Sequence, residues 1–387
     1  MDFNFKEEQL QLADAVRRWI AKDYDFETRR AVVASETGSS PSAWATMAEL
    51  GLLALPLPEQ YGGFDGGALD AYLVMQELGR GLVVEPYVAT LLGAKCLLLA
   101  DDGARFGALL ERVGAGAAKL ACALGERQSR HDMRDVATRA TRDGESWVLA
   151  GEKKVVLQGA AADVLVVSAR TRGSQRDEDG ITLFALPAAT PGVRVTGYRM
   201  LDGQRGADVA LDGVRVDATM LVGREHAGWA ILDEALDHGA GLLCAEAVGA
   251  MDALFTATLD YLKTRQQFGV PIGKFQALQH RMADMYVHLE QARSLALLAA
   301  VRLDGGDAGE RRSAVSAAKY RVGQAARFVG QQAVQLHGGM GVTDELPAAH
   351  WFKRLSTIEL ALGDCDHHLA RFIAQPGFAA NLGAEAA

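Results

Sequence analysis

From Gly228 almost to the C-terminus, apolar residues recur at helical spacing with few interruptions. Ala230 to Arg265 is one long Ala-rich stretch, and Gln276 to Leu303, Ala314 to His337 and Leu346 to Ile373 follow after short links. A stripe repeating every 3.6 residues does not fit a sheet, whose faces alternate at every second residue. Four such segments with short connections predict a helical bundle. DGGDAGERR, Asp304 to Arg312, reads as a polar link between two of them.

Upstream the period changes. Between about Lys119 and Val222 the chain runs through short β-rich segments, VATRATRDG, SWVLAGEKKVVL, DVLVVSART, GITLFALP and GVRVTGYRM, separated by Gly, Asp and Pro turns. Evenly spaced short strands predict a compact β-domain, a barrel or a sandwich. Before Lys119 the pattern is helical again. Asn4 with Glu7 resembles a capping box, and Leu12, Val16, Trp19 and Ile20 recur at helical spacing. Helices are expected over Ser42–Leu53, Leu69–Val84 and Tyr87–Leu99, with the glycine-rich Tyr61–Gly67 as a turn. The expected fold is therefore α+β multidomain: an N-terminal helical domain (1–118), a middle β-domain (119–222) and a C-terminal four-helix bundle (223–387), ending in a frayed tail from Pro376.

Composition narrows the function. The net charge of −9 comes with no long basic block, so no nucleic-acid partner is expected. The charged N-terminus does not read as a signal peptide, and no run of 18 uncharged apolar residues suggests membrane insertion. Cys96, Cys122, Cys244 and Cys365 are scattered and lack zinc spacing, which fits free thiols in a reducing cytoplasm.

Two glycine- and arginine-bearing motifs carry candidate binding chemistry. In RQQFGVPIGKFQALQHRMADM, Arg265 offers a planar fork of donors, Phe268 a flat apolar face, and Gln276 both a donor and an acceptor. In QLHGGMGVTDELP, Gln335 precedes Gly338, Gly339 and Gly341, which let a ligand approach the backbone. Together with LGLLALPLPEQYGG, GEKKVVLQGAAADVLVVSART and VALDGVRVDATMLVG, and in this order over nearly the whole chain, these motifs resemble the acyl-CoA dehydrogenase family. The pattern is most similar to the small-subunit type, such as the pimeloyl-CoA dehydrogenase small subunit.

The resemblance implies an FAD-dependent α,β-dehydrogenation of an acyl-CoA thioester in carboxylic acid degradation. A carboxylate takes the α-proton, and the β-hydrogen leaves as hydride to the flavin. It implies that Arg265, Phe268, Gln276, Gln335, Gly338 and Gly339 line the adenosine or pyrophosphate end of an FAD held by a neighbouring subunit, and hence an oligomer. It also implies an electron-transfer flavoprotein or similar acceptor as partner. The acyl group remains open; Gly239, Ala240 and Gly241 leave room near it.

The departures from the family pattern are as informative. In RLSTIELALGDCDHHL, Gly363 stands where the glutamate base normally does, and at the alternative base position, in LDHGAGLLCAEAVG, stands Gly239. The GSD element expected after Glu126 is missing from LGERQSRHD. In KKVVL, Val155 replaces the tryptophan that flanks the flavin, and Leu157 the hydroxyl that contacts it. The contacts serving a neighbour's flavin remain while those around the chain's own are altered. Three readings follow: a subunit lacking the base that works with a catalytic homologue; a self-sufficient homo-oligomer with Asp364 as relocated base; or a non-catalytic acyl-CoA-binding or structural homologue. Asp364 has a second role open to it as a helix N-cap. Glu246 lies about two turns beyond Gly239 and reads as a helix–helix polar contact. Asp364 and His368 share a helix face but are too few for a metal site, so no metal is expected.

Overall fold

The computed structural model describes residues 5–100, 103–376 and 378 of the 387. An N-terminal helical region precedes a central mixed β-sheet, and a C-terminal helical region follows. In contacts the chain forms two compact units. One comprises residues 1–31, 67–83 and 240–387, the other 32–66 and 84–239.

The helices α1 (Glu7–Asp23), α2 (Phe26–Ala34), α3 (Pro41–Glu49), α4 (Ala68–Arg80), α5 (Tyr87–Leu99) and α6 (Gly103–Gly114) come first. The cap expected at Asn4 lies outside the described residues; the Lys6 N–H donates instead to Gln9 Oε1 at 2.8 Å. The helix expected over Ser42–Leu53 starts at Pro41, where the Ser40 side chain accepts from the Ala43 N–H, and stops at Glu49, because the chain turns left-handed at Gly51 with φ 74°. α2 and α6 were not expected.

In the second unit the strands are β1 (Leu120–Ala123), β2 (Arg139–Asp143), β3 (Ser146–Leu157), β4 (Val164–Arg170), β5 (Ile181–Pro187), β6 (Val193–Arg199), β7 (Arg205–Val216) and β8 (Leu221–Val222). They form one eight-stranded sheet in the order β6-β7-β3-β2-β4-β5-β8, with β1 beside β4. Only β1 and β2 run parallel to β4; the other pairings are antiparallel. Its core is built on Trp147, Leu149, Val167, Phe184 and Val209, with the Trp147 and Phe184 rings edge-to-face at 5.9 Å.

α7 (Gly228–Thr264), which belongs to the first unit from residue 240 on, leads into the hairpin β9 (Gln266–Gln267) and β10 (Val270–Pro271), then α8 (Gln276–Leu303), α9 (Ala308–His337), α10 (Pro347–Leu360) and α11 (Cys365–Ile373). Ala292, Ala296, Ala299 and Leu303 on α8 and Ala318, Val322, Ala325 and Val329 on α9 are buried, so each helix turns one small-residue stripe inward. α4 crosses α7 so closely that a Cβ at Gly249 would stand 1.8 Å from the Gln76 carbonyl, and one at Gly79 would stand 2.1 Å from that of Glu246. Only glycine permits this crossing.

Two expectations are corrected. The single helix read over Leu346–Ile373 is broken into α10 and α11, because Leu362 and Gly363 both take positive φ, 55° and 107°. The polar link expected over Asp304–Arg312 shrinks, because Asp307 caps α9 through the Glu310 N–H. α7 is long and apolar enough to cross a bilayer, but 67% of its most apolar window is buried within the protein, as in the core helix of a globular domain.

Candidate active site

The first motif occupies the end of α7 and the hairpin after it. Phe268 and Gly269 form the two-residue turn, with φ of 55° and 79°. Two positive φ values in succession mark a type I′ hairpin turn, which an aromatic residue adopts only under strain. The strain presents the Phe268 ring outward, 89% exposed, with its edge toward Phe275 at 6.1 Å. The Ile272 N–H closes the loop on the Arg265 carbonyl at 2.8 Å.

The second motif follows α9. Gly338 ends the helix at φ 61°, and neither Gly338 nor Gly339 has an atom within 4 Å of where a Cβ would stand. Two residues that sequence reasoning missed join the motifs. Tyr261, one turn before Arg265, stacks on His337 at 4.5 Å and 27°. Its hydroxyl donates to the His337 carbonyl at 3.4 Å. His337 Nδ1–H donates to the Ala333 carbonyl at 2.9 Å, and burial lowers the ring's pKa, so it stacks as a neutral imidazole. Neither residue carried a signal of its own in the sequence.

Arg265, Gln276 and Gln335 are exposed, and the polar side-chain atoms of all three lack hydrogen-bond partners among the described residues. Free donors beside two uncovered glycines and an exposed ring are chemically suited to the pyrophosphate and adenine of a dinucleotide.

The segments that the family resemblance would set against the chain's own flavin lie in the sheet unit. Glu126 is buried and fully bonded. Its carboxylate accepts from Lys153 Nζ at 2.7 Å and from the Ala137 and Thr138 N–H groups at 2.8 and 3.0 Å. Burial raises the Glu126 carboxyl, but Lys153 and the hydrogen bonds outweigh it and hold the pKa below the ordinary value. Lys153 also donates to the Leu124 carbonyl and to Ser168 Oγ, so the pair is spent on structure. Next to it β3 bulges, and Val155 sits at φ 53° with 58% exposure. Its N–H points to Asp208 at 3.4 Å, and Asp208 also accepts from Lys154 Nζ at 3.0 Å. Leu157 is half-buried. Neither position offers a polar group.

The positions expected to carry a base are equally plain. Gly239 is buried on α7. Gly241 is filled from outside, since a Cβ there would meet Leu303 Cδ1 at 2.5 Å. Asp364 is the N-cap of α11, its Oδ1 accepting from the His367 N–H at 2.8 Å. Glu246 is held by Arg354 in a buried bidentate pair, Nε–Oε1 2.6 Å and Nη2–Oε2 2.7 Å. No group of metal-ligating side chains occurs among the described residues.

Three domains of the acyl-CoA dehydrogenase family match the chain: the N-terminal domain over residues 6–107, the middle domain over 121–214 and the C-terminal domain over 226–375. The chain belongs to the acyl-CoA dehydrogenase family, whose members are FAD-dependent oxidoreductases acting on CH–CH groups. Among its relatives is the probable acyl-CoA dehydrogenase YngJ of Bacillus subtilis, 30% identical over 94% of this chain and 96% of that one. The fold is shared with a variant of the Tcur3481-Tcur3483 steroid ACAD at 29% identity and a TM-score of 0.87, covering 98% of this chain and 99% of that chain. The ChsE4-ChsE5 complex from Mycobacterium tuberculosis contains a chain 26% identical, with a TM-score of 0.86 over 96% of this chain and 97% of its own.

Proposed function

We propose that this chain is the base-deficient subunit of a paired acyl-CoA dehydrogenase, completing the FAD site of a catalytic homologue. Its three segments are 1–118, 119–222 and 223–387. The observation that carries the reading is the use of Asp364: its carboxylate caps α11 through the His367 N–H, beside a glycine at the family's base position. A carboxylate aimed at a backbone N–H is poorly placed to take a proton from substrate. Glu246, the other carboxylate weighed as a base, is bound to Arg354 inside the bundle.

The intact surface supports the other half of the proposal. Arg265, Phe268, Gln276, Gln335, Gly338 and Gly339 would hold the adenosine and pyrophosphate end of the FAD, which supplies the hydride acceptor when bound. Around them Phe268, Met340 and Val342 are 89%, 40% and 69% exposed, an apolar rim suited to a subunit contact. Val155 and Leu157 offer the chain's own flavin no hydrogen bond, so the isolated chain is expected to hold flavin substoichiometrically. That two names stand in each of the steroid ACAD and the ChsE4-ChsE5 assemblies fits a paired arrangement. We place the protein in the cytoplasm, with its four cysteines free, and an electron-transfer flavoprotein or similar acceptor downstream.

The test is to assay acyl-CoA-dependent flavin reduction in the isolated chain, then with a homologous dehydrogenase subunit added, for wild type and Asp364→Asn. Activity only with the homologue, unchanged by the substitution, is the expected result. Activity of the isolated chain that collapses in Asp364→Asn would establish a self-sufficient enzyme instead. Acyl-CoA binding with no reduction under either condition would leave an inert binding module.

A further inference from the structure

We infer that His368 fills the space a side chain at position 363 would need, so the turn is committed to glycine and no single substitution there can restore a carboxylate base. The inference rests on the reading of Gly363 as the vacated base position and explains why the vacancy is structural.

Gly363 has φ 107°, outside the range an L-residue adopts without strain. A Cβ there would stand 2.6 Å from His368 Nε2 and 2.7 Å from His367 Cδ2. Neither ring is the loose end of a flexible chain. His368 is 3% exposed and its Nε2–H donates to the Leu362 carbonyl at 3.0 Å. The His367 ring packs edge-on against it at 5.1 Å and 85°. The Asp364 cap fixes the first turn of the helix that carries both.

From the other side, Lys319 clamps the turn. Its buried Nζ donates to the carbonyls of Ile358 at 2.8 Å, Glu359 at 3.1 Å and Gly363 at 2.8 Å. One ammonium thereby ties the end of α10 to the glycine peptide. A side chain at 363 has to rotate that peptide, break the Lys319–Gly363 bond and displace His368. The glycine is thus one part of a turn that Lys319 and His368 hold in place.

The experiment is a thermal-melt cycle on the full chain with Gly363→Ala, His368→Ala and both together. Gly213→Ala serves as control, because Gly213 has φ 60° with nothing within 4 Å of a Cβ. We expect Gly363→Ala to lower Tm by several degrees more than Gly213→Ala, and the loss to shrink in the His368→Ala background. Equal losses in both backgrounds, or a Gly363→Ala melt like that of Gly213→Ala, would overturn the inference. If Gly363→Ala alone does not fold, recovery of soluble protein in the double variant supports it, and failure to recover while His368→Ala folds overturns it. Turnover by the isolated wild type would sink the paired-subunit reading without altering these melts, so the two failures are distinguishable.

Discussion

Tyr261 and His337 stack their rings 4.5 Å apart, and the stack joins the end of α7, from which the hairpin leads, to the glycine turn after α9. The two residues are 76 positions apart in the chain. An aromatic pair of this kind contributes about 0.5–1.5 kcal/mol beyond its buried area. Tyr261→Ala is therefore expected to weaken flavin retention in the assembled complex by up to about tenfold. Tyr261→Phe, which keeps the stack and loses only the long bond to the His337 carbonyl, should leave it close to wild type. The flavin-to-protein absorbance ratio after gel filtration reads both. Arg265→Ala should lower the same ratio by removing the donor fork.

Glu246 and Arg354 form a buried bidentate pair between α7 and α10. Removing Arg354 leaves the buried Glu246 carboxylate without this ion pair, at a cost of about 3–5 kcal/mol. Arg354→Met should shift the midpoint of denaturant unfolding accordingly. Glu246→Leu combined with Arg354→Met should recover part of the loss, because the stranded carboxylate is then gone. An Arg354→Met midpoint equal to wild type would show that water reaches Glu246.

Val155 is a β-branched residue in the left-handed region with most of its side chain in solvent. That conformation costs about 1–2 kcal/mol for an L-residue, and little burial offsets it. Val155→Gly is expected to raise stability by about 1 kcal/mol, after the added unfolded-state entropy of glycine is subtracted. Calorimetric Tm on the isolated chain gives the sign directly, and a lower Tm would mean that the side chain makes a contact worth more than the strain.

His368 sets a pH dependence. Burial, followed by the charge of Lys319, lowers its pKa from 6.5 to about 2 in the folded chain. Below pH 6.5 the unfolded chain binds a proton that the folded chain does not. Stability from this group is therefore complete above about pH 6.5 and is lost progressively as pH falls toward 2, by up to about 1.4 kcal/mol per unit. Between pH 6.5 and 4.5 wild type should lose about 2–3 kcal/mol more than His368→Gln, which does not titrate. Urea unfolding of both proteins across that range isolates the term from the carboxylates they share.

Local pattern sufficed for much of this protein. The helical period after Gly228, the alternating strands such as Ser146–Leu157, and the paired motifs at Arg265 and Gly338 were legible because each depends on residues near one another in the chain. So was the absence of a carboxylate at 239 and 363, since glycine has no side chain in any fold. Tertiary structure decided what those positions are for. Periodicity ran one helix across Leu346–Ile373, although Gly363 and the possible Asp364 cap allow a break there; Lys319, some forty residues earlier, holds the left-handed turn at Leu362 and Gly363 through three carbonyls. Asp364 was open to two roles, relocated base and N-cap; in the fold its Oδ1 accepts from the His367 N–H. Tyr261 and His337 carried no signal, because stacking depends on where two distant helices end. Residue type limits what a position can do chemically; which partner it meets is set by packing between segments that the sequence keeps far apart.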